Sequence, residues 1–127
     1  MEACIPYLSC ETARRAIQWY CTVYELNCVE FIPDGATLVA HAELMNGNVR
    51  FFVSSVYPSE QLHDAQAIPT VATAIVLMCD DMQPILTRAL TNGATLVRPV
   101  VAGHNAKIRD PYGHMWMLRQ ATLSGPT

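Results

Sequence analysis

Three side chains lie within hydrophobic segments and could nevertheless carry chemistry: His41 and Glu43 in ATLVAHAEL, and His114 in KIRDPYGHMWML. Imidazole and carboxylate groups transfer protons and bind divalent metals. Because side chains alternate along a strand, His41 and Glu43 share one face of any strand that contains both. These residues are candidates for a metal site or, together with Tyr7, for proton transfer.

Glu43 and His41 also fit a structural role. The Asn-Gly sequence at 46–47 favours a tight hairpin turn, which predicts that Glu43 lies opposite Arg50. Such a cross-strand pair contributes about 0.2 to 1 kcal/mol. If Phe51 faces a cleft, His41 points away from it, unless a β-bulge inverts the strand. We favour the structural role for both residues.

Other reactive residue types are scattered along the chain. His63 and His104 fall in expected loops, with no neighbour that links them to a partner. The five cysteines form no CxxC pair, which favours buried, reduced thiols: Cys4, Cys10, Cys21, Cys28 and Cys79. The sequence has no GxSxG, GxxxxGK[ST] or GxGxxG motif, which argues against α/β-hydrolase-type serine catalysis, P-loop phosphate binding and dinucleotide binding.

Composition excludes further classes. The 127 residues are 51% hydrophobic and 15% charged, which is enough apolar material for one folded unit. A formal net charge of -3 leaves no basic footprint for nucleic acid. No segment approaches the roughly 18 apolar residues that span a bilayer, and the N-terminus does not resemble a signal peptide. We expect a cytoplasmic protein that binds neither nucleic acid nor membrane.

The pattern of elements repeats once. A strand, a helix with apolar residues three and four apart, a strand and a hairpin occur in residues 4–56, and the same order returns in 71–120. Residues 57–70 are polar and contain two prolines, which is typical of a linker. Leu8 and Leu77 lie 69 residues apart, and Phe51 and Met117 lie 66 apart, so weak internal duplication is plausible.

The order and spacing of four segments resemble the vicinal oxygen chelate (glyoxalase/bleomycin resistance/dioxygenase) superfamily, most of all its PhnB-like branch. The segments are IPYLSCETARRAIQWY, VAHAELMNGNVRFFVSS, DDMQPILTRALTNGATLVRPV and KIRDPYGHMWML. The resemblance implies an α+β fold in which two β-α-β-β-β modules form a curved mixed sheet around a cleft. It also implies a homodimer.

The resemblance locates the positions at which metal-using relatives carry His or Glu. They are the start of each first strand, at Ile5 or Pro6 and at Ala74 or Thr73, and one position on each last strand, at Phe51 and Met117. Divalent metals need oxygen or imidazole donors, and none of these side chains provides one. The sequence therefore predicts no metal and no cofactor, with His41, Glu43 and His114 as the rival ligands.

The same register predicts a mostly apolar cleft. Its expected ligand-binding residues are Tyr7, Ser9, Phe51, Val53, Val76, Met78, Met115, Met117 and Arg119. Trp116 and Leu118 fall on the opposite strand face, which suits packing beneath a helix. The residues Asp110-Pro111-Tyr112-Gly113 predict a reverse turn, and His114 is expected to hydrogen-bond near it.

The leading hypothesis is a metal-independent protein that binds an aromatic or amphipathic small molecule. One alternative is a metal-dependent lyase, isomerase or dioxygenase of the same superfamily, which would need a Lewis acid. A metal-free enzyme and a protein-interaction module are the others. The missing donors weigh against an enzyme.

Overall fold

The computed structural model describes residues 1–102 and 104–121. The chain divides into two compact units, Met1–Pro69 and Thr70–Thr127. Each unit contains a four-stranded mixed sheet and one α-helix. The predicted α+β class and the repeated β-α-β-β-β order are confirmed.

The first unit contains the elements β1 (Tyr7–Ser9), α1 (Ala13–Val23), β2 (Asn27–Asp34), β3 (Leu38–Asn46) and β4 (Val49–Ser54). Its strand order is β1-β4-β3-β2, with β1 parallel to β4 and the other neighbours antiparallel. Two short 3-10 helices follow, Pro58–Glu60 and Ala65–Ala67, within the segment predicted as a linker. The Tyr57 hydroxyl ties this segment to β2, because it donates to the Asp34 carboxylate at 2.7 Å. That hydrogen bond raises the pKa of Tyr57 to about 12.

The second unit repeats this arrangement with β5 (Ala74–Cys79), α2 (Met82–Thr91), β6 (Thr95–Val101), β7 (Asn105–Arg109) and β8 (Met115–Gln120). Its strand order is β5-β8-β7-β6, with β5 parallel to β8. The inner strands β8 and β7 therefore correspond to β4 and β3 of the first unit.

One helix covers one face of each sheet. The apolar residues of α1 recur every three or four positions, and Ala16, Tyr20 and Val23 are all fully buried. The Tyr20 ring meets Phe51 of β4 edge-on, with 5.2 Å between ring centroids. The helix-covered face of the first sheet is therefore the core of that unit.

The α2 helix has a polar cap at its start and a glycine just after its end. The Asp81 side chain accepts a hydrogen bond from the Gln83 backbone N–H, which satisfies one of the exposed amides at the start of the helix. Gly93 follows the helix with a φ of +99°, a conformation that favours glycine. Met82, Leu86 and Ala89 are buried, and α2 contacts β8.

The β3–β4 hairpin differs from its predicted register. The strands pair Asn46 with Val49 and Glu43 with Phe52, so the two-residue loop is Gly47-Asn48 and not Asn46-Gly47. This shift by two residues leaves the strand faces unchanged, because side chains alternate with a period of two. The predicted Glu43–Arg50 ion pair does form, with 2.5 Å between Arg50 Nε and Glu43 Oε2.

The β7–β8 turn is organised by one buried carboxylate. Asp110 is only 4% exposed. One of its oxygens accepts from the backbone N–H groups of Tyr112 and His114, at 2.8 and 3.1 Å. The other accepts from Trp116 Nε1 at 2.8 Å, and the backbone N–H of Gly113 closes the turn on the Asp110 carbonyl. The predicted reverse turn is confirmed, and Asp110 fixes where the core residue Trp116 lies.

We expect Asp110→Ala to destabilise the protein by about 2 kcal/mol or more, because several buried donors lose their acceptor. Urea unfolding followed by tryptophan fluorescence measures this loss. Trp116→Phe is the matched partner in a double-mutant cycle, because it removes one of the three donors and keeps a buried ring. Equal stabilities of Asp110→Ala and the parent would contradict the assigned role.

Candidate functional site

Each sheet has one face that no helix of its own unit covers, here called its open face. On the first sheet this face presents Tyr7, His41, Glu43, Met45, Arg50 and Phe52. On the second sheet it presents Val76, Met78, Asn105, Lys107, Arg109, Met115, Met117 and Arg119. These two surfaces hold the candidate functional residues.

The faces predicted for the second sheet agree with the structure. Val76 and Met78 are 51% and 59% exposed, and β8 places Met117 and Arg119 beside them. Met115 lies on the same face, and Trp116 and Leu118 are fully buried on the other. His114 is half-buried beside the turn, where its backbone N–H reaches Asp110. The role of the open-face residues in ligand binding stays a prediction.

The face predicted for Phe51 and Val53 is wrong. Both are buried, at 2% and 0% exposed, and Phe51 packs on Tyr20 of α1. The error is one residue, because Phe52 pairs with Tyr7 as Met117 pairs with Val76. The last strands of the two units therefore correspond at an offset of 65 and not 66, and a slip of one residue exchanges the faces of a strand.

The prediction that His41 points away from the open face is wrong for the same reason. The Tyr7 hydroxyl and His41 Nδ1 are 2.8 Å apart, and His41 Nε2 lies 3.2 Å from Glu30 Oε1. The rings of Tyr7, His41 and Phe52 meet edge-on, with centroids 4.7 to 5.5 Å apart. Glu30, His41 and Tyr7 thus form a continuous series, here called the Glu30–His41–Tyr7 series.

Glu30 was missed because its strand pairing is irregular. It lies on β2 opposite Glu43, next to a register shift between Cys28 and Glu30. A bulge cannot be located from the alternation of residue types alone, so no signal in the sequence assigned Glu30 to His41.

The chemistry of this series is proton transfer. Burial raises the pKa of Tyr7, against a lowering effect of its hydrogen bond with Ser54, so the phenol is protonated near neutral pH. A protonated phenol donates to an unprotonated Nδ1, which leaves the proton of a neutral imidazole on Nε2, beside the Glu30 carboxylate. The arrangement can pass a proton between the Tyr7 oxygen and the carboxylate.

A divalent metal does not fit either open face. The positions that pair the first and last strands carry Tyr7 with Phe52 and Val76 with Met117. The described residues contain no group of three or more His, Cys, Asp or Glu side chains that could hold a metal ion. The ring nitrogens of His41 already face Tyr7 and Glu30. The donor set therefore fails to match hard divalent ions.

The remaining candidate side chains present no exposed group on these surfaces. Ser9 shares the strand face of Tyr7 but is buried, at 5% exposed. His63 is exposed, and Nδ1 of the half-buried His104 lies 2.8 Å from the Ala102 carbonyl oxygen. Neither histidine contributes to an open face of its sheet.

All five cysteines are free thiols. Cys10 and Cys79 are buried as predicted, whereas Cys4 and Cys28 are exposed, which corrects the prediction for those two residues. Burial raises the pKa of Cys28 and Cys79 and also that of Cys21. These three thiols are therefore poor nucleophiles near neutral pH.

A hollow of about 370 Å³ lies at the start of α1, beside the β2–β3 turn. Its side chain Arg14 is already used by the fold, because it donates to the carbonyl oxygens of Thr37, Gly35 and Leu38. The same guanidinium lies over the Phe31 ring, 5.2 Å from its centroid. Arg14 therefore holds the β2–β3 turn against α1, and we assign the hollow no role in ligand binding.

Comparisons with known proteins identify the fold. No family model and no curated protein matches the chain. Protein PA1353 from Pseudomonas aeruginosa aligns over 94% of this chain and 98% of its own, with a TM-score of 0.75 and 20% identity. FosX, a fosfomycin resistance protein from Mesorhizobium loti, aligns over 97% and 94%, with a TM-score of 0.74 and 15% identity. The PhnB protein from Bacillus cereus aligns over 94% and 100%, with a TM-score of 0.72 and 16% identity.

The chain has the glyoxalase/bleomycin-resistance-like fold. Its structural neighbours include fosfomycin resistance proteins and the PhnB protein, which confirms the predicted resemblance at the level of fold. Identities of 20% and below leave the activity to be argued from this chain's own residues. Within the described residues, no helix has the length and hydropathy needed to cross a membrane.

We expect His41 to be the Nε2–H tautomer, with Nδ1 accepting from Tyr7. Long-range ¹H–¹⁵N spectra of the imidazoles distinguish the two nitrogens directly. Glu30→Ala should shift His41 toward a mixture of tautomers, because Nε2 loses its acceptor, while His63 serves as the unchanged internal control. A protonated Nδ1 in the parent would show that the Tyr7 contact is reversed.

Proposed function

We propose that the protein binds an aromatic or amphipathic small molecule without a metal, on a surface that includes the open face of the second sheet. The observation that carries this proposal is the exposure of Val76 and Met78 next to Met117. Apolar side chains gathered on one face and left open to solvent are typical of binding surfaces.

The energetics favour binding without chemistry. Removing apolar surface from water contributes about 25 cal/mol per Å², so a small aromatic ligand can reach micromolar affinity after the cost of association. Met78, Met115 and Met117 adapt to different shapes because methionine side chains are unbranched and polarisable. The surface is therefore suited to a ligand of mixed shape more than to one rigid substrate.

The competing metal-dependent functions receive less support. A lyase, isomerase or dioxygenase of this fold needs a Lewis acid or an oxygen-activating ion. Tyr7 pairs with Phe52 in the first sheet and Val76 pairs with Met117 in the second, and neither pair forms a donor set for such an ion. The Glu30–His41–Tyr7 series would permit metal-free proton transfer, but binding alone requires fewer assumptions.

Binding is tested with N-phenyl-1-naphthylamine, a neutral probe that fluoresces in apolar surroundings. Met78→Gln combined with Met117→Gln should weaken its affinity about tenfold, because the apolar contact area is replaced by amides. Leu62→Gln is the matched control, since Leu62 is 42% exposed and lies outside both sheets. Equal losses in both variants, or no binding by the parent, would contradict the proposal.

Metal independence is tested in the same titration. Chelator treatment should leave the affinity for the neutral probe and the melting temperature unchanged, because no ligand group of the site is coordinated. A stoichiometric Mn, Fe, Ni or Zn ion in the purified protein, lost in His41→Ala or Glu43→Ala, would support the metal-dependent alternative instead.

We further infer that the protein is a cytoplasmic homodimer. β2 lies at the edge of its sheet and every one of its residues is exposed. Val29, Phe31 and Ile32 are 54%, 42% and 47% exposed, which is costly for an edge strand without a covering partner.

Light scattering should give twice the chain mass of 14.0 kDa for the parent protein. Val29→Lys with Ile32→Lys should shift it toward monomer, because two charges would be buried at the contact. Leu90→Lys, on a helix residue that is 37% exposed, is the control. A monomeric parent at high concentration would overturn the inferred homodimer.

A further inference from the structure

Charge is distributed unequally between the two units. Residues 1–69 contain eight Asp and Glu and three Arg, a net charge of -5, whereas residues 70–127 contain three Asp and five Lys and Arg, a net charge of +2. A cationic half in a chain of overall negative charge points to a local function for its cations.

Four of the five cations of the second unit lie on strands of its sheet. Arg98 lies opposite Lys107, and Lys107 lies opposite Met117 on the open face. Arg119 lies two residues further along β8, opposite Asn105. Arg109 extends the same row toward the turn, where it donates to the Gly113 carbonyl oxygen.

The acidic residues of this unit are used elsewhere. Asp81 caps α2, Asp110 is buried under the β7–β8 turn, and Asp80 precedes the helix. Within residues 1–102 and 104–121, neither Lys107 nor Arg119 forms an ion pair. The open face of the second sheet therefore carries positive charge without a compensating carboxylate among those residues.

This arrangement costs stability. Like charges directly opposite each other across two strands destabilise a sheet, and Arg98 and Lys107 are such a pair. Positively charged side chains protect edge strands from aggregation, which accounts for Arg98 on β6. That reason does not apply to Lys107 and Arg119, because β7 and β8 are inner strands.

On the open face of the first sheet, the corresponding charge is paired with an opposite charge. Glu43 occupies the position that corresponds to Lys107, since Glu43 pairs with Phe52 as Lys107 pairs with Met117. Glu43 is neutralised by Arg50 within its own sheet. Lys107, the equivalent cation of the second sheet, has no such ion-pair partner among the described residues, so its charge is available to a ligand.

The geometry suits one oxyanion. Diagonal neighbours on adjacent strands lie about 7 to 8 Å apart, so the long side chains of Lys107 and Arg119 can converge on one group. Arg98 Nη2 donates to Asn105 Oδ1 at 2.6 Å, which holds the guanidinium over this part of the face. Arginine binds carboxylate, sulfonate and phosphate oxygens with paired hydrogen bonds.

We propose that the ligand of this surface is an amphipathic anion. Its oxyanion lies on Arg98, Lys107 and Arg119, and its apolar body lies on Val76, Met78 and Met117. This inference rests on the proposed binding function, and it adds the chemical class of the ligand.

The test compares two probes with the same aromatic body. 1-Anilinonaphthalene-8-sulfonate carries one sulfonate, and N-phenyl-1-naphthylamine is the same molecule without it. We expect the parent to bind the sulfonate about tenfold more tightly than the neutral probe at low ionic strength, and this preference should fall as salt is added.

Variants locate the preference on the sheet. Lys107→Met with Arg119→Met should lower sulfonate affinity about tenfold and leave neutral-probe affinity within about twofold, because methionine keeps the apolar stems. Lys107→Arg with Arg119→Lys should retain the preference, which also shows that the site tolerates substitution. Arg15→Met, on an exposed residue of α1, controls for net charge.

Competition with octanoate, octyl sulfate, octyl phosphate and octanol then ranks the oxyanions. Displacement by octanol as strong as by the anions, or a sulfonate preference that survives in Lys107→Met with Arg119→Met, would overturn the assigned ligand class while small-molecule binding stands. Failure of both probes to bind would overturn the binding function itself.

Discussion

One helix can bury only one face of a four-stranded sheet, and this limit determines the rest of the molecule. Side chains alternate along each strand, so the residues under α1 and α2 are the core and the residues between them face the other way. Tyr20 against Phe51 fixes this choice in the first unit. The hydrogen bond from Trp116 to Asp110 fixes it in the second. The candidate functional residues lie on the faces that the helices leave open.

Because each helix buries only one face of its sheet, the open faces of the two sheets can carry different side chains although the two units have the same strand order. Tyr7 pairs with Phe52 in one unit and Val76 pairs with Met117 in the other, and neither Phe52 nor Met117 has a side chain that binds hard divalent metals. The first sheet pairs its polar groups internally: Arg50 forms an ion pair with Glu43, and His41 lies between Glu30 and Tyr7. The second sheet combines exposed apolar residues with cations. The two units therefore share their packing and element order and differ in the chemistry of their open faces.

Sequence patterns predicted what depends on local chemistry. The order of elements, the reverse turn at Asp110 and the strand faces of the second unit follow from alternation, turn residues and caps. The open face of the first sheet was not predictable in the same way, because it depends on one residue of offset between last strands. Two consecutive phenylalanines, Phe51 and Phe52, allow either one to face the core. The packing of Phe51 against Tyr20 determines that Phe51 is the buried residue. The place of Glu30 depends on a bulge that the sequence does not mark.

The contrast between Glu43 and Lys107 bears on how function is separated from stability. Both occupy inner strands at equivalent positions, where a charge gains nothing from protecting an edge. Glu43 forms an ion pair with Arg50, and this stabilising contact accounts for a charged residue at that position. Lys107 faces the like-charged Arg98 across the strand pair, an arrangement that disfavours the sheet. Under the proposed anion binding, the free energy gained when the ligand binds offsets this cost.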